Sequence, residues 1–222
     1  MEEHIVKILD IKPVTHDVKR YRVEKPDGYN FIPGQATELC INILQWVNEP
    51  RPFTFTSLNE WEFLEFTIKS YRDHDGVTNA LDKLVPGDEL ILHDVWGAIH
   101  YEEPGLFIAG GAGVTPFIAI LRSLHLKNML EGNQLLFANK TSKDILLKDE
   151  FEKMLGKNFI NILSGEKVEG HEFGFITEEL LKNYIKSEND YIYLCGPPPM
   201  MDGVQLMLDK MGVGKNKLIV EL

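Results

Sequence analysis

The sequence predicts two domains, an N-terminal antiparallel β-barrel followed by a C-terminal α/β doubly wound parallel sheet. Two observations carry this. From Ile5 to about Tyr101 short apolar runs are punctuated by turn residues, and from Gly105 onward strand-like runs alternate with helix-like ones. Short strands at regular spacing suit a small antiparallel barrel, whereas strand–helix alternation requires parallel pairing through crossover helices. At 222 residues the chain is long enough for two modest cores. The boundary falls at the charged, proline-ended joint Tyr101-Glu102-Glu103-Pro104, giving domains over 1–101 and 102–222.

In the first half, strands are predicted over 5–11, 18–24, 37–44, 51–57, 63–70 and 89–94. Pro26-Asp27-Gly28, Pro33-Gly34 and Pro86-Gly87-Asp88 separate them, residues that supply the fixed or positive φ a tight turn needs. One helix interrupts, over 78–84 behind Gly76-Val77, with Ala80, Leu81 and Leu84 on the face that packs on the barrel. In the second half strands are predicted over 106–110, 134–139, 159–164, 191–195 and 218–222, with helices over 115–128, 147–155, 177–185 and 200–211.

Four stretches carry candidate chemistry. In Arg51-Pro52-Phe53-Thr54-Phe55-Thr56-Ser57 aromatic and hydroxyl side chains alternate behind a guanidinium. That is a stacking surface, a hydrogen-bonding edge and a phosphate partner in one strand, as a flat ring system ending in phosphates requires. The same residues also fit an ordinary barrel strand that begins with Arg. Gly76-Val77-Thr78 opens a helix, where unsatisfied N–H groups can seat an anion, or where Thr78 simply caps its own helix. Gly110-Gly111-Ala112-Gly113-Val114-Thr115-Pro116 lies between a strand and a helix; its glycines allow a pyrophosphate close to the backbone, although Pro116 replaces the third glycine of the full dinucleotide fingerprint. Finally, Cys195-Gly196-Pro197-Pro198-Pro199-Met200 follows a strand, and its three prolines read as a rigid turn outside both neighbouring elements.

Charge and cysteine usage exclude other classes. A net charge of −11 argues against nucleic acid and anionic membrane surfaces. Cys40 and Cys195 lie far apart without metal-ligand spacing, so no metal site is predicted and a reducing compartment is the simpler setting. The first residues carry acids instead of an apolar run, and the stretch over 106–121 is broken by Gly and Pro and short of the roughly 20 residues a membrane span needs. A soluble, cytoplasmic protein is expected.

Taken together the motifs resemble the ferredoxin–NADP reductase family. Arg-x-Phe-Thr at Arg51–Thr54, preceded by Phe31-Ile32-Pro33-Gly34-Gln35, is similar to its flavin signature, Gly76-Val77-Thr78 to its pyrophosphate segment, and the two loops of the second half to its nucleotide motifs. The resemblance implies FAD, with FMN as the lesser option, and NADH or NADPH as hydride donor. It implies cofactor-binding roles for Arg51, Pro52, Phe53, Thr54, Thr67, Ile68, Lys69, Gly76, Val77 and Thr78 in the barrel. In the second domain it implies the same for Gly111, Gly113, Val114, Thr115, Pro116, Cys195, Gly196, Pro197 and Met200. Thr54, Cys195 and Glu221 are the implied catalytic residues. NADPH-specific relatives commonly carry an Arg after the Ser that ends the third strand; here Ser164 is followed by Gly165 and Glu166, which favours NADH, with Lys140, Lys143 and Lys167 as the cations that could compensate. The implied acceptor is a ferredoxin or flavodoxin, meeting a local basic patch that includes Lys69 and Arg72. The aromatic lid that many relatives carry after their final carboxylate is replaced by Leu222, after Glu221. A reductase of free flavin, or a partner-binding subunit without turnover, would share the same motifs.

Overall fold

The computed structural model describes residues 3–220. Its first six strands are β1 (His4–Pro13), β2 (Val18–Glu24), β3 (Ala36–Ile41), β4 (Arg51–Thr54), β5 (Phe63–Lys69) and β6 (Glu89–Trp96). They pair antiparallel in the order β4-β3-β6-β1-β2-β5. A bridge between Phe55 and Phe66, with the Thr56 amide donating to the Glu65 carbonyl at 2.7 Å, brings the two edges together and closes the barrel. The period-two pattern explains what each strand buries. Leu64, Phe66 and Ile68 of β5 point into the barrel core with Val6, Tyr21, Leu39 and Leu90. The alternate residues Glu65, Thr67 and Lys69 lie on the opposite face.

Phe55 is fully buried and stacks on Phe31 at 4.2 Å between ring centroids. The aromatic face of the 51–57 stretch is therefore turned inward, and the hydroxyl face is turned toward the second domain. Helix α1 (Val77–Leu81) covers the barrel with Val77 and Leu81, accepting a hydrogen bond from Tyr21 Oη at the Leu81 carbonyl. It ends before the expected Leu84, which still packs on the barrel core.

The second domain contains β7 (Gly105–Gly110), α2 (Thr115–Leu126), β8 (Gln134–Asn139), α3 (Lys148–Leu155), β9 (Phe159–Leu163), β10 (Glu172–Phe173), α4 (Glu178–Tyr184), β11 (Tyr191–Cys195), α5 (Pro198–Lys210) and β12 (Leu218–Val220). All its strands pair parallel, in the order β10-β9-β8-β7-β11-β12. The chain winds outward from β7 through β10, then crosses back to place β11 on the other side of β7. One face of the sheet packs Phe107, Phe137 and Tyr193 under α2 and α3; the other packs Ile108, Ile192 and Leu194 under α4 and α5.

Two features depart from expectation. β10 is an additional edge strand of two exposed residues, too short to show any periodicity. The prolines do not all lie outside the helix: Pro198 and Pro199 form the first turn of α5, and Pro197 precedes it in extended conformation. The first N–H groups of a helix have no intrahelical acceptor, so proline loses nothing there.

The segment that leads into the second domain is tied to β11 by one hydroxyl. Tyr193 Oη accepts from the Glu102 and Glu103 amides, both at 3.0 Å, and donates to the Glu103 carbonyl at 2.7 Å, while its ring stacks on Phe107 at 4.3 Å. Tyr193→Phe keeps the packing and strands these backbone groups. Leaving a buried donor or acceptor unpaired costs about 1–3 kcal/mol. Glu102 and Glu103 lie at the surface, so chemical denaturation should show a loss toward the lower end of that range, and a variant as stable as the parent would mean that water satisfies the joint.

Candidate active site between the two domains

In an open parallel sheet ligands bind beyond the carboxyl ends of strands where the winding reverses. Here that point lies between β7 and β11. The loop after β7 forms a short 3₁₀ turn, Gly111–Val114, that runs directly into α2 with Pro116 in its first turn. The loop after β11 is Cys195-Gly196-Pro197, and the two loops interlock. A Cβ on Gly113 would meet the Cys195 carbonyl oxygen at 2.5 Å, and one on Gly110 would meet Met200 Sδ at 2.5 Å. Gly113 is thus required by the neighbouring loop's backbone, not only by a ligand's approach. Gly111 is needed for a different reason: its φ is +51° and the space around it is open. Thr115 Oγ1 donates to the Ala112 carbonyl at 3.0 Å and braces the turn.

A groove of about 790 Å³ opens above this point. Its floor comes from the strand ends: Gly110 and Gly111 after β7, Asn139 and Lys140 after β8, Ser164 after β9 and Pro197 after β11. Phe175, Pro199, Met200 and Met207 line one side, and His16, Asp17 and Lys69 of the barrel line the other. Lys69 Nζ lies 2.9 Å from the Asp17 carboxylate, and His16 Nε2 lies 3.7 Å from Asp17 and 3.8 Å from Asp144 of the second domain. Burial alone would raise the Asp17 carboxyl; hydrogen bonds from Lys69 and Thr15 outweigh it and hold the group below the usual carboxylate range.

Of the residues expected from sequence, Lys69, Gly111, Pro197 and Met200 line this groove. Gly113 and Val114 sit within the same turn, and Thr115 and Pro116 begin α2. Gly196 is wedged against Gly110 and Met200, and Cys195, 5% exposed, ends β11 opposite Ala109. Thr54, 9% exposed, ends β4 on the barrel side. Thr67 Oγ1 lies 3.3 Å from Thr56 Oγ1, whereas the Ile68 side chain is sealed inside the barrel and leaves only backbone for a ligand.

The remaining expected residues form a separate barrel surface. Arg51 and Pro52 are exposed at the start of β4; the Arg51 guanidinium donates to the Pro50 carbonyl at 2.7 Å and to Glu49 at 3.2 Å. Phe53 is partly buried and packs on the barrel core. Gly76 precedes α1 with no side-chain cap, so Thr78 does not close its own helix, and the N–H groups of Val77 and Thr78 have no intrahelical acceptor. Glu221 lies outside the described residues.

Several groove residues went unnoticed in the sequence, among them Asn139 and Phe175. Asn139 ends a predicted strand, so the strand-end rule was the signal that finds it. Phe175, 80% exposed, follows Gly174 at φ +109° and carries no pattern. Two expected cations are not available as a basic patch: Lys69 is paired with Asp17, and Arg72 with Asp82 at 3.0 Å.

The arrangement fits a dinucleotide. Both polar atoms of the Asn139 side chain are buried without a partner among the described residues, at the edge of a groove that otherwise offers apolar walls and a glycine turn. Unpartnered buried amide groups are costly and are normally satisfied. On the barrel, Arg51 is about half exposed, and the first α1 amides have no intrahelical acceptor, the kinds of group that can meet a phosphate.

Known proteins agree with this geometry. Residues 107–206 match the family described as the oxidoreductase NAD-binding domain. NADH-cytochrome b5 reductase 1 of Mycosarcoma maydis is 34% identical over 235 residues, covering 97% of this chain and 71% of that relative. The reductase component of propane 2-monooxygenase from Rhodococcus jostii is 28% identical over 234 residues, and the chain spans 97% of its own length but 62% of that relative's. A ferredoxin NADP+ reductase from Neisseria gonorrhoeae, solved with FAD and NADP, superposes with a TM-score of 0.87 at 19% identity, covering 100% of this chain and 98% of that one. No helix among the described residues is long and apolar enough to cross a membrane. The chain belongs to the ferredoxin–NADP reductase-like family of NAD(P)H-dependent flavoprotein oxidoreductases.

Proposed function

We propose that this chain takes hydride from NADH onto FAD held by the barrel and passes the electrons to a separate one-electron protein carrier. The observation that carries the reading is the groove at the β7–β11 switch point, which is walled on one side by the barrel's own His16, Asp17 and Lys69. A nucleotide there reaches both domains at once. Bound FAD supplies the conversion of a two-electron hydride into single electrons, which amino-acid side chains cannot do.

The protein's part is binding and placement. Arg51 and the amides of Gly76, Val77 and Thr78 would hold the FAD phosphates, with Pro52, Phe53, Thr54, Thr67, Ile68 and Lys69 bordering the ring and ribityl chain. Gly111, Gly113, Val114, Thr115 and Pro116 would receive the nucleotide pyrophosphate, and Gly196, Pro197 and Met200 would flank it. Cys195 and Thr54, each nearly buried at the end of its strand, would hold the nicotinamide and the flavin at the transfer point, together with Glu221. Cys195 would act by position, since hydride transfer needs no nucleophile.

NADH is favoured over NADPH. Of Lys140, Lys143 and Lys167, only Lys140 lines the groove, while Lys167 lies over the Phe173 ring at 4.9 Å. Glu166, which accepts from the Ser142 amide, adds negative charge where a 2′-phosphate would need cations. The relatives' names point to two kinds of acceptor, cytochrome b5 and an oxygenase. A ferredoxin or flavodoxin belongs to the same chemical class, and the acceptor is proposed at that level. The expected setting is the cytoplasm, and the domain bounds are those given above.

The purified protein should carry about one FAD per chain, bleach anaerobically with NADH, and show a kcat/KM higher with NADH; a tenfold advantage for NADPH overturns the nucleotide assignment. Protein that neither holds flavin nor bleaches would leave the fold without this activity. Removing a charge-assisted hydrogen bond costs about 1.5–3 kcal/mol. Arg51→Ala should therefore weaken FAD binding by an order of magnitude or more, and unchanged FAD dissociation would make Arg51 a barrel residue. Cys195→Ala should slow flavin reduction in stopped flow while FAD content stays at the parent level; reduction at the parent rate would leave the thiol with packing alone.

A further inference from the structure

Arg122 joins the two domains, and none of the roles above uses it. It sits on α2, seven residues beyond Thr115, about 10 Å along the helix at 1.5 Å per residue. Its side chain is 10% exposed, and its fork is engaged on both sides. Toward the barrel, Nη1 donates to the Thr56 carbonyl at 2.6 Å and to Glu65 Oε1 at 2.7 Å. Toward its own domain, Nε and Nη2 donate to the two oxygens of Glu150 on α3, at 2.5 and 2.9 Å. The Trp61 ring lies 5.4 Å away across its face. Burial disfavours the charge, but Glu150 and Glu65 outweigh that and keep the guanidinium protonated.

The barrel end of this link is not arbitrary. Thr56 lies two residues past Thr54, on the segment that closes the barrel at Phe55. Thr56 Oγ1 lies 3.1 Å from Glu65 Oε1 and 3.3 Å from Thr67 Oγ1, so the guanidinium grips the outer face of the strands that would carry the flavin. The other end of α2 is the nucleotide turn. The bidentate pair with Glu150 fixes the plane of the guanidinium on its own domain, and Nη1 then meets two barrel oxygens at once, which resists sliding and tilting more than one contact would.

We infer that Arg122 is a positioning residue for hydride transfer, setting the spacing between the Thr54–Thr56 segment of the barrel and the nucleotide turn at the head of α2. The inference rests on the function proposed above. Misplacement of reacting atoms by about 1 Å costs on the order of 10²-fold in rate. A loosened link should therefore lower the limiting rate of transfer more than it lowers nucleotide affinity. Glu65, 1% exposed, would still have Arg22 at 3.1 Å and Arg20 at 3.6 Å, so losing Arg122 does not leave a bare buried charge in the barrel.

The test uses full-length, FAD-loaded protein. Arg122→Gln should keep the parent's FAD content and bind NAD⁺ within about threefold of the parent, while the limiting rate of flavin reduction at saturating NADH falls at least tenfold. Hydrogen exchange should speed up at the amides over 54–57 and stay unchanged in β1 and β6. Arg122→Lys keeps one charged contact without the fork and should fall between the two. Glu150→Gln, at a carboxylate with 34% exposure, releases only the α3 side and should give a smaller fall in the same rate even if Arg122→Gln does not fold. A parent-like limiting rate in Arg122→Gln, with lowered thermal stability, overturns the positioning role and leaves a structural one; if only Glu150→Gln folds, its reducing flavin at the parent rate overturns the role as well. A parent protein whose FAD is not reduced by NADH overturns the function and this inference together, which separates the two failures.

Discussion

Two loops meet at the centre of the parallel sheet so closely that Gly113 has no room for a side chain against the backbone of the other loop. A Cβ on Gly113 would meet Gly196 Cα at 2.5 Å, and a Cβ on Gly196 would meet Met200 Cε at 2.6 Å. Contacts of that kind fix the head of α2, the end of β11 and the start of α5 as one block. The prolines complete it: Pro198 and Pro199 let α5 begin at once after the turn, because no backbone donor is needed there. The winding order of the sheet makes the crevice, and this interlock gives it a rigid floor. The position of Cys195 and of the groove's entire inner edge follows from it.

Charge organises the other side of the groove. The chain carries a net −11, yet several barrel carboxylates each meet one or more cations. Glu65 is shared among Arg20, Arg22 and Arg122, Asp17 is held by Lys69, and Asp82 by Lys19 at 3.0 Å and Arg72. Burial alone would raise the Asp82 carboxyl, but Arg72 and Lys19 outweigh it and keep it ionised. Buried pairs contribute little net stability, yet breaking one is expensive, so they favour a single arrangement of the parts they join. With a net charge of −11 the molecule does not attract an acidic carrier over long range, which puts the weight of docking on short-range fit.

The barrel strands and the parallel sheet were legible because alternation and strand–helix succession are local properties. Every strand from β1 to β9, together with β11, lies within a few residues of its expected span, and the glycine turn and the Cys195 loop stand where their motifs put them. What was not legible needed a partner far away in the sequence. Glu65 and Arg122 belong to no motif in the sequence; only the packing of the domains makes them a buried pair. Phe55 read as a stacking surface for a ligand, but barrel closure turns its ring onto Phe31 instead. Lys69 and Arg72 read as free positive charge for the same reason: the carboxylates that neutralise them come from other segments.

The inward turn of Phe55 bears on how a barrel of this kind can hold a flavin. Its aromatic side is consumed by the core, where Phe31, Phe55 and Phe66 pack together, and Thr54 and Thr67 lie nearly buried on the other face, where Thr56 is fully covered. On the proposed reading the ring is then gripped mainly through hydrogen bonds to a strand end and through the partly buried Phe53, with the phosphates anchored at Arg51 and α1. Such a surface orients a flat ligand strictly but covers only one side of it. The second side has to come from the α/β domain, whose nearest fixed block is the interlocked pair of loops. On that reading a rigid connection between the domains is part of the cofactor site itself, and a buried arginine bonded to both domains at that junction makes physical sense where a flexible linker would not.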